Sequence, residues 1–511
     1  MRERLASGAS GRWTPATTHS PKVMTPLTSA VVPPLPPARF KDVLDDGQWK
    51  VLEAANHQAG FILGDRRVWS INSTLSGGGV AEMLQSLVSY ARGASVDARW
   101  SVIDGEPDFF VLTKRIHHKL HGSAGDGGPL GPAEREVYER VTRANAERLA
   151  EELHDGDVIL LHDPQTAGMA PALTGRGVHL VWRSHIGIDT PNEHVRDAWE
   201  FLLPYLGDVQ AFIFTRREYA PPELQERDLT IIPPSIDVFG PKNQVLADDV
   251  VVSILATAGV IDAPVTTSPT YTHHDGRTDD VARQVRMDED ERLTLDDRLI
   301  VQVSRWDPLK DPVGVMQGFA EHVAPHVADA RLVLAGPSPE GVLDDPEGAI
   351  VLEEVRAARL ALPPDVRRRV HLASLPMQDR SENAAIVNAI QRHATIVVQK
   401  SLAEGFGLTV SEAMWKHRPV VASRVGGIQD QIVDGESGVL LDDPHDLAEY
   451  GAKITALLAD PERMQRIGDA AGERVRREFL GSRHLIQYLA LCARLIEYDG
   501  HPWHPAEDPA A

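Results

Sequence analysis

The sequence predicts an α/β protein of two doubly wound, Rossmann-like domains. Three observations carry that expectation. At 511 residues, 42% hydrophobic and 25% charged, the chain can bury two cores of roughly 150–250 residues each. Short apolar runs such as 158–161, 299–303 and 394–398 alternate with helical stretches, the pattern of a parallel sheet covered on both faces. Several of these runs end in glycine-punctuated turns that open a helix, where such sheets hold ligands.

Composition excludes several classes. Lys and Arg number 52 against 74 Asp and Glu, a formal charge of −22, which argues against wrapping nucleic acid or lying on an anionic bilayer. The single cysteine, Cys492, excludes an internal disulfide and a cysteine-based zinc site. No apolar run approaches the ~20 residues of a membrane span, and a cytoplasmic location is expected.

Taken in order, residues 1–40 are rich in Pro, Ser, Thr and Ala and are expected to form a disordered tail. A polar helix from Phe40 to about Gly60 leads into the strand at Val68, which ends in Ser73-Thr-Leu-Ser-Gly-Gly-Gly-Val-Ala-Glu. Gly78 and Gly79 there can bring the backbone close to a ligand and present N–H donors, or simply make a tight turn. Strand-like segments at 98–103 and 109–113 follow. His117, His118 and His121, with Lys114, Arg115 and Lys119, are expected to form a surface basic cluster rather than a metal site, for want of a nearby acid. A helix from about Pro132 to Leu153 enters the strand 158–161. The next two strand ends carry His162-Asp163-Pro-Gln165 and Ser184-His185-Ile-Gly-Ile-Asp, where a doubly wound sheet puts ligand-binding residues. His185 could equally be a strand-end histidine satisfied by a carbonyl.

The first domain is expected to span 41–240. Apart from a helix near 247–259, residues 241–297 lack useful periodicity, and 260–296 are expected to form an inserted, mobile linker. His273 and His274 within it are expected to be solvated. The second domain, 298–481, opens with the strand at Leu299 and the turn Ser304-Arg305-Trp-Asp-Pro-Leu-Lys310-Asp-Pro. Two cations at a strand-helix junction suit a pyrophosphate clamp, with surface pairs to Asp307 and Asp311 as the alternative. A helix of about 482–500 with an apolar face follows, then a tail over 501–511.

The stretch Glu404-Gly-Phe406-Gly407-Leu408-Thr-Val-Ser-Glu412 runs from a strand end into a helix starting near Leu408. Two glutamates separated by seven residues around Gly-Phe-Gly-Leu resemble the signature of the retaining GT-B glycosyltransferases of family 4. The segment Arg418-Pro-Val-Val-Ala-Ser-Arg-Val-Gly-Gly, continuing through Asp434-Gly-Glu-Ser-Gly, is similar to that family's nucleotide-domain ending. The glycine loop after Asn72 and the segments at His162 and His185 look most like the branch that makes or cleaves trehalose.

The resemblance implies the GT-B fold, with an N-terminal acceptor domain, a nucleotide-sugar domain at 298–481 and the last helix packing back on the first domain. It implies a hexosyltransferase in which nucleoside-diphosphate glucose and glucose give α,α-trehalose, by front-face transfer with retention and without metal or other cofactor. By the same resemblance Arg305 and Lys310 bind phosphate, Glu404 positions the donor sugar and Glu412 binds the ribose. Gly78, Gly79, Phe406, Gly407 and Leu408 line the donor site, Leu375 and Met377 cradle the base, and His185 stands near the reacting sugar. Asp163 and Gln165 contact the acceptor. The expected partners are these small molecules, with no nucleic acid or membrane, and a homodimer is left open. A retaining trehalose phosphorylase using glucose 1-phosphate, a family 4 transferase with another acceptor, and a non-catalytic sugar-binding protein are the alternatives.

Overall fold

The computed structural model describes residues 26–75, 78–339 and 346–496. Its first sheet has seven strands: β1 (Thr28–Ser29), β2 (Arg67–Asn72), β3 (Asp97–Val102), β4 (Val158–His162), β5 (His179–Ser184), β6 (Ala211–Phe214) and β7 (Leu229–Ile231). Their spatial order is β1-β3-β2-β4-β5-β6-β7, and every neighbouring pair is parallel except β1 with β3. Every residue of β4 is buried, as a parallel strand sandwiched by helices requires.

A two-stranded hairpin, β8 (Thr270–Thr272) and β9 (Thr278–Asp280), precedes the second sheet. That sheet comprises β10 (Arg286–Asp288), β11 (Arg298–Val303), β12 (Ala330–Pro337), β13 (Val370–Leu375), β14 (Ile396–Gln399), β15 (Val420–Ser423) and β16 (Val439–Leu441). The order β10-β13-β12-β11-β14-β15-β16 is parallel apart from the edge strand β10. Both sheets are therefore doubly wound. The strand order reverses between β2 and β4 in the first and between β11 and β14 in the second, and a crevice opens outside the strand ends at each reversal.

Three segments differ from the sequence expectations. Residues 26–40 are not tail. Leu27 and Val32 are buried, the Ala30 N–H donates to the Trp100 carbonyl (2.8 Å), and Phe40 sits wholly buried on the turn Pro37–Asp42. The prolines suit this edge path, which needs few backbone donors. Residues 109–113 are helical. The helix Pro107–Leu120 buries Phe109, Leu112, Thr113, Ile116 and Leu120 at helical spacing, with Pro107 at its start.

The segment 241–297 is folded into the second core. The helix Asp248–Thr257 packs on the helix Arg380–His393, β10 extends the sheet, and Val260, Ile261, Tyr271, Val281, Val285 and Leu293 are buried. Glu382, in the first turn of the helix Arg380–His393, fixes it by accepting the Ala282 and Arg283 N–H groups at 2.7 and 2.6 Å. Its histidines are paired rather than solvated, His273 with Asp279 at 2.7 Å and His274 with Asp237 at 3.2 Å.

The chain crosses between the sheets twice. It leaves the first after β7 and returns at the helix Gly481–Leu495, which packs against the helix Asp46–Leu63. Tyr488, Leu489, Leu491 and Cys492 join the apolar layer over β4, β5 and β6. Inside it the Arg183 guanidinium meets the Tyr488 hydroxyl and His484 Nε2 (3.2 Å), and His484 Nδ1 meets the Ser235 hydroxyl (2.7 Å). The two crossings touch: Ile236 and Leu480 form a bridge, and the Ile236 N–H donates to the Phe479 carbonyl at 2.9 Å.

Candidate active site

The strand reversal in the second sheet places two loops side by side. After β11, Asp307 caps the short turn Pro308–Lys310 by accepting the Leu309 N–H at 2.9 Å. Gln302, inside the strand, holds the Lys310 carbonyl at 2.7 Å. Asp311 takes a left-handed conformation (φ 47°), caps the helix Pro312–Gly318 through the Gly314 N–H and pairs with the buried Lys400. Lys310 is thereby turned toward the loop after β14, where its ammonium lies 2.5 Å from the Glu404 carboxylate. Both side chains are 14% exposed. Arg305 pairs instead with Asp307 at 2.9 Å and is 64% exposed, facing solvent from the same loop.

The second loop ends at Gly407, whose φ of 84° strains any residue with a Cβ. It caps the helix Leu408–Trp415, aiming that helix's first-turn N–H groups out of the strand ends. Phe406 is buried against Phe479. One turn into the helix, Glu412 is buried with a carboxylate oxygen 3.6 Å from Lys242, which also meets Glu82 at 2.8 Å. Burial opposes the Lys242 charge, yet the two glutamates outweigh it and raise its pKa. Lys416 donates to the Glu412 carbonyl, Asn243 and Gln391, and burial pulls its pKa well down. Leu375 ends β13 fully buried with its carbonyl taken by Ser338 (2.8 Å), and Met377 lies just beyond, its sulfur 3.3 Å from the Asn383 amide.

The first sheet answers across the cleft. Asn72, at the end of β2, accepts from the Trp100 indole and donates to the Thr74 carbonyl, both at 2.8 Å, bracing the glycine loop. Gly79 stands on the helix Gly78–Gly93, and a Cβ added to it would lie 2.9 Å from Leu408 Cδ1. Asp163 is left-handed (φ 62°) and accepts the His185 N–H at 2.8 Å. This carboxylate oxygen orients His185, and Gln165 is half-buried on the short helix Asp163–Ala167.

His162 Nδ1 and His185 Nε2 are 3.1 Å apart, with the rings stacked 11° from parallel. Burial, and then Arg183, hold His162 down at about 3 and His185 well below its usual value, so both are neutral at physiological pH. His162 Nε2 is buried without a hydrogen-bond partner among the described residues. An orphaned acceptor costs less than an orphaned N–H, so the proton sits on His162 Nδ1 and is donated to His185. His185 then keeps Nδ1–H as its donor. Burial raises Asp163 to about 7 against the opposing pull of the His185 N–H and Arg183.

The loops are tied directly. The Tyr219 hydroxyl donates to the Gly405 carbonyl at 2.7 Å. Arg216 reaches Asp430 (2.6 Å), the Gly426 carbonyl (3.0 Å) and Asp189, and Asp189 accepts the Gly426 N–H (2.8 Å) and the Gln429 amide (3.0 Å). A side chain at Gly426 (φ 50°) would run into the Glu404 carbonyl. His117 and His121 do not form a surface basic cluster. Lys119 is buried on Asp197, Arg115 pairs with Asp126, and the two half-buried imidazoles sit among the charges of Arg305, Lys310 and Glu404.

The structure thus brings Lys310, Glu404, Gly79, Leu408, His185 and Asp163 to one cleft, with Arg305 on its rim. Lys242, Tyr219, Arg216 and Asp189 were missed in the sequence, where nothing local links them to loops far along the chain. Among the described residues no group of three or more His, Cys, Asp or Glu is placed to hold a metal, and no helix is long and apolar enough to cross a membrane.

Comparison with known proteins agrees in both halves. The family model described as "Trehalose synthase, N-terminal domain" matches residues 70–221, and "Glycosyl transferases group 1" matches 285–474. A trehalose synthase from Rubrobacter xylanophilus is 38% identical over 84% of this chain and 91% of its own length. Another, from Pyrococcus horikoshii, is 35% identical over 82% and 88%. A trehalose phosphorylase from Pleurotus pulmonarius is more distant, 26% identical over 83% of this chain and 57% of that protein. Among solved structures, an α,α-trehalose-phosphate synthase (UDP-forming) from Burkholderia vietnamiensis superposes with a TM-score of 0.60 at 14% identity, covering 84% of this chain and 98% of that one. That likeness identifies the fold as GT-B.

Proposed function

Because the chain belongs to the trehalose synthase family of glycosyltransferases, we propose that it transfers glucose from a nucleoside diphosphate to free glucose, giving α,α-trehalose with retention. The observation that carries this reading is the Lys310–Glu404 pair at the strand reversal of the second sheet, facing His185 across the cleft. Transfer from a phosphate leaving group needs fixed positive charge where the phosphate gains negative charge. Lys310 lies in the cleft for that role, with Arg305 on the rim. Glu404 accepts hydrogen bonds from the donor hexose and the N–H groups of Phe406–Leu408 donate to it, the backbone at Gly78–Gly79 holds the diphosphate end, and Glu412 takes the ribose hydroxyls. The base lies along Leu375 and Met377.

The C1–phosphate bond breaks as the acceptor oxygen bonds C1 on the same face, and the acceptor proton passes to the departing phosphate oxygen. A double displacement would instead need two carboxyl groups about 5 Å apart across the bond, one of them free to attack C1. Glu404 is tied to Lys310, and Asp163 to the His185 backbone. Neutral His185 offers Nδ1–H to a hydroxyl near the reacting carbon, while Asp163 fixes its backbone and, with Gln165, borders the acceptor. The reaction as written requires no metal, and nucleotide-sugar substrates suit a cytoplasmic location.

The test is a product assay with glucose and ADP-, UDP- or GDP-glucose, with EDTA present, beside a parallel reaction with glucose 1-phosphate. Trehalose with a stoichiometric nucleoside diphosphate is expected. Trehalose from glucose 1-phosphate alone would replace the proposal with a phosphorylase, and nucleotide release without trehalose would refute the acceptor.

A further inference from the structure

We infer that His121 is a further substrate-contacting residue of the reaction centre, bordering the donor hexose from the first domain and hydrogen-bonding one of its hydroxyls. The inference rests on the donor reading above and adds a wall that it lacks. His121 follows the last turn of the helix Pro107–Leu120, and its N–H is anchored on the His117 carbonyl at 3.1 Å. Across the cleft stands Gly405, next to Glu404. A Cβ built there would lie 3.7 Å from His121 Cε1 and 3.6 Å from the His185 carbonyl oxygen. Two groups of the first domain, the His121 ring and the His185 backbone, therefore bracket one point of the loop that carries the hexose-binding glutamate.

The charges that bear on His121 are Glu404, Lys310, His118 and Asp307, three of them from the clamp loops. Burial holds its pKa down at about 4, so the ring is neutral at physiological pH, with one N–H to donate and one nitrogen to accept. That complement matches a sugar hydroxyl, which does both. One turn earlier His117 packs its ring against His121 with centroids 4.8 Å apart at 61°, which restricts how the second ring can turn. A packing-only histidine would need none of these neighbours.

The experiment is steady-state kinetics of full-length His121→Ala and His121→Asn with the preferred nucleoside-diphosphate glucose, beside calorimetric affinity for the matching nucleoside diphosphate, which has no hexose. His121→Ala is expected to lower kcat/KM about tenfold, the worth of one neutral hydrogen bond, with nucleoside diphosphate affinity held within about twofold. His121→Asn, keeping a donor and an acceptor, recovers part of the loss. Unchanged kinetics in both variants, or an equal fall in nucleoside diphosphate affinity, would overturn the inference. Nucleotide release is measured with and without glucose. Wild-type release without trehalose overturns the acceptor assignment and leaves the His121 comparison readable, whereas trehalose formed at the wild-type rate by His121→Ala overturns the His121 inference alone.

Discussion

Replacing Arg216 with alanine removes the cation that joins the two domains beside the reaction centre. Its side chain is 9% exposed and holds Asp189 from its own domain together with Asp430 and the Gly426 carbonyl from the other, so Arg216→Ala leaves two carboxylates facing each other. Losing one partner of a fully buried pair costs about 3–5 kcal/mol. Asp189 and Asp430 are 34% and 41% exposed, and water screens what remains, which brings the figure to about 2–3 kcal/mol. The Tyr219 contact to Gly405 and the Asp189 contact to the Gly426 N–H survive, so the cost falls on the closed arrangement rather than on either domain's fold. At about 1.4 kcal/mol per decade, the closed population drops roughly 30- to 150-fold relative to the open one. The assay is kcat/KM for trehalose formation, with the fraction of donor lost to water as a second readout, since an open cleft admits solvent. Nucleoside diphosphate affinity should fall less than kcat/KM, because the second-domain contacts persist in the open form and only those at Gly78–Gly79 come from the first domain. A kcat/KM within about threefold of wild type, with no rise in hydrolysis, would refute the reasoning.

Lys310→Ala should lower kcat by about 10²–10³ through loss of the charge that meets the leaving phosphate, and a kcat near wild type would remove Lys310 from the chemistry. Glu412→Gln should weaken nucleoside diphosphate binding roughly tenfold in a titration while glucose KM holds, because only the ribose contact and the Lys242 pairing change. Stability should fall as pH drops below about 6.5. His117, His121, His162, His185 and His484 have folded pKa values depressed by burial, so they bind fewer protons folded than unfolded, and the stability they confer is lost on acidification. Asp163, raised by burial to about 7, works the other way and cancels roughly one histidine. The net loss is on the order of 1–5 kcal/mol per pH unit, visible as a Tm that falls from about pH 7 to about pH 5, and a flat or rising Tm would count against it.

The fold was legible because its central strands are predominantly apolar and its binding loops sit where glycine breaks the pattern. Lys310 and Glu404 could be singled out since each lies just past a strand end, although their direct pairing could not. The helix carrying His117 and His121 was obscured by Phe109-Phe-Val-Leu, an apolar run that reads as a strand until Phe110 and Val111 prove exposed, at 38% and 54%. Residues 260–296 looked unstructured because Val281, Val285 and Leu293 are buried from irregular backbone and Tyr271 from a strand of only three residues, without the sustained period of two or 3.6 that marks longer regular elements. Arg216 and Asp189 were invisible for another reason: the partner at Gly426 is 237 residues from Asp189.

The paired crossings at Ile236 and Leu480 bear on how the cleft opens. A single tether would let one domain swivel and twist freely about the other. Two chain segments running side by side and hydrogen-bonded to each other act as two pins on one door. They restrict twist between the domains more than one tether would, which favours return of the loops after β11 and β14 to the same place against the first domain.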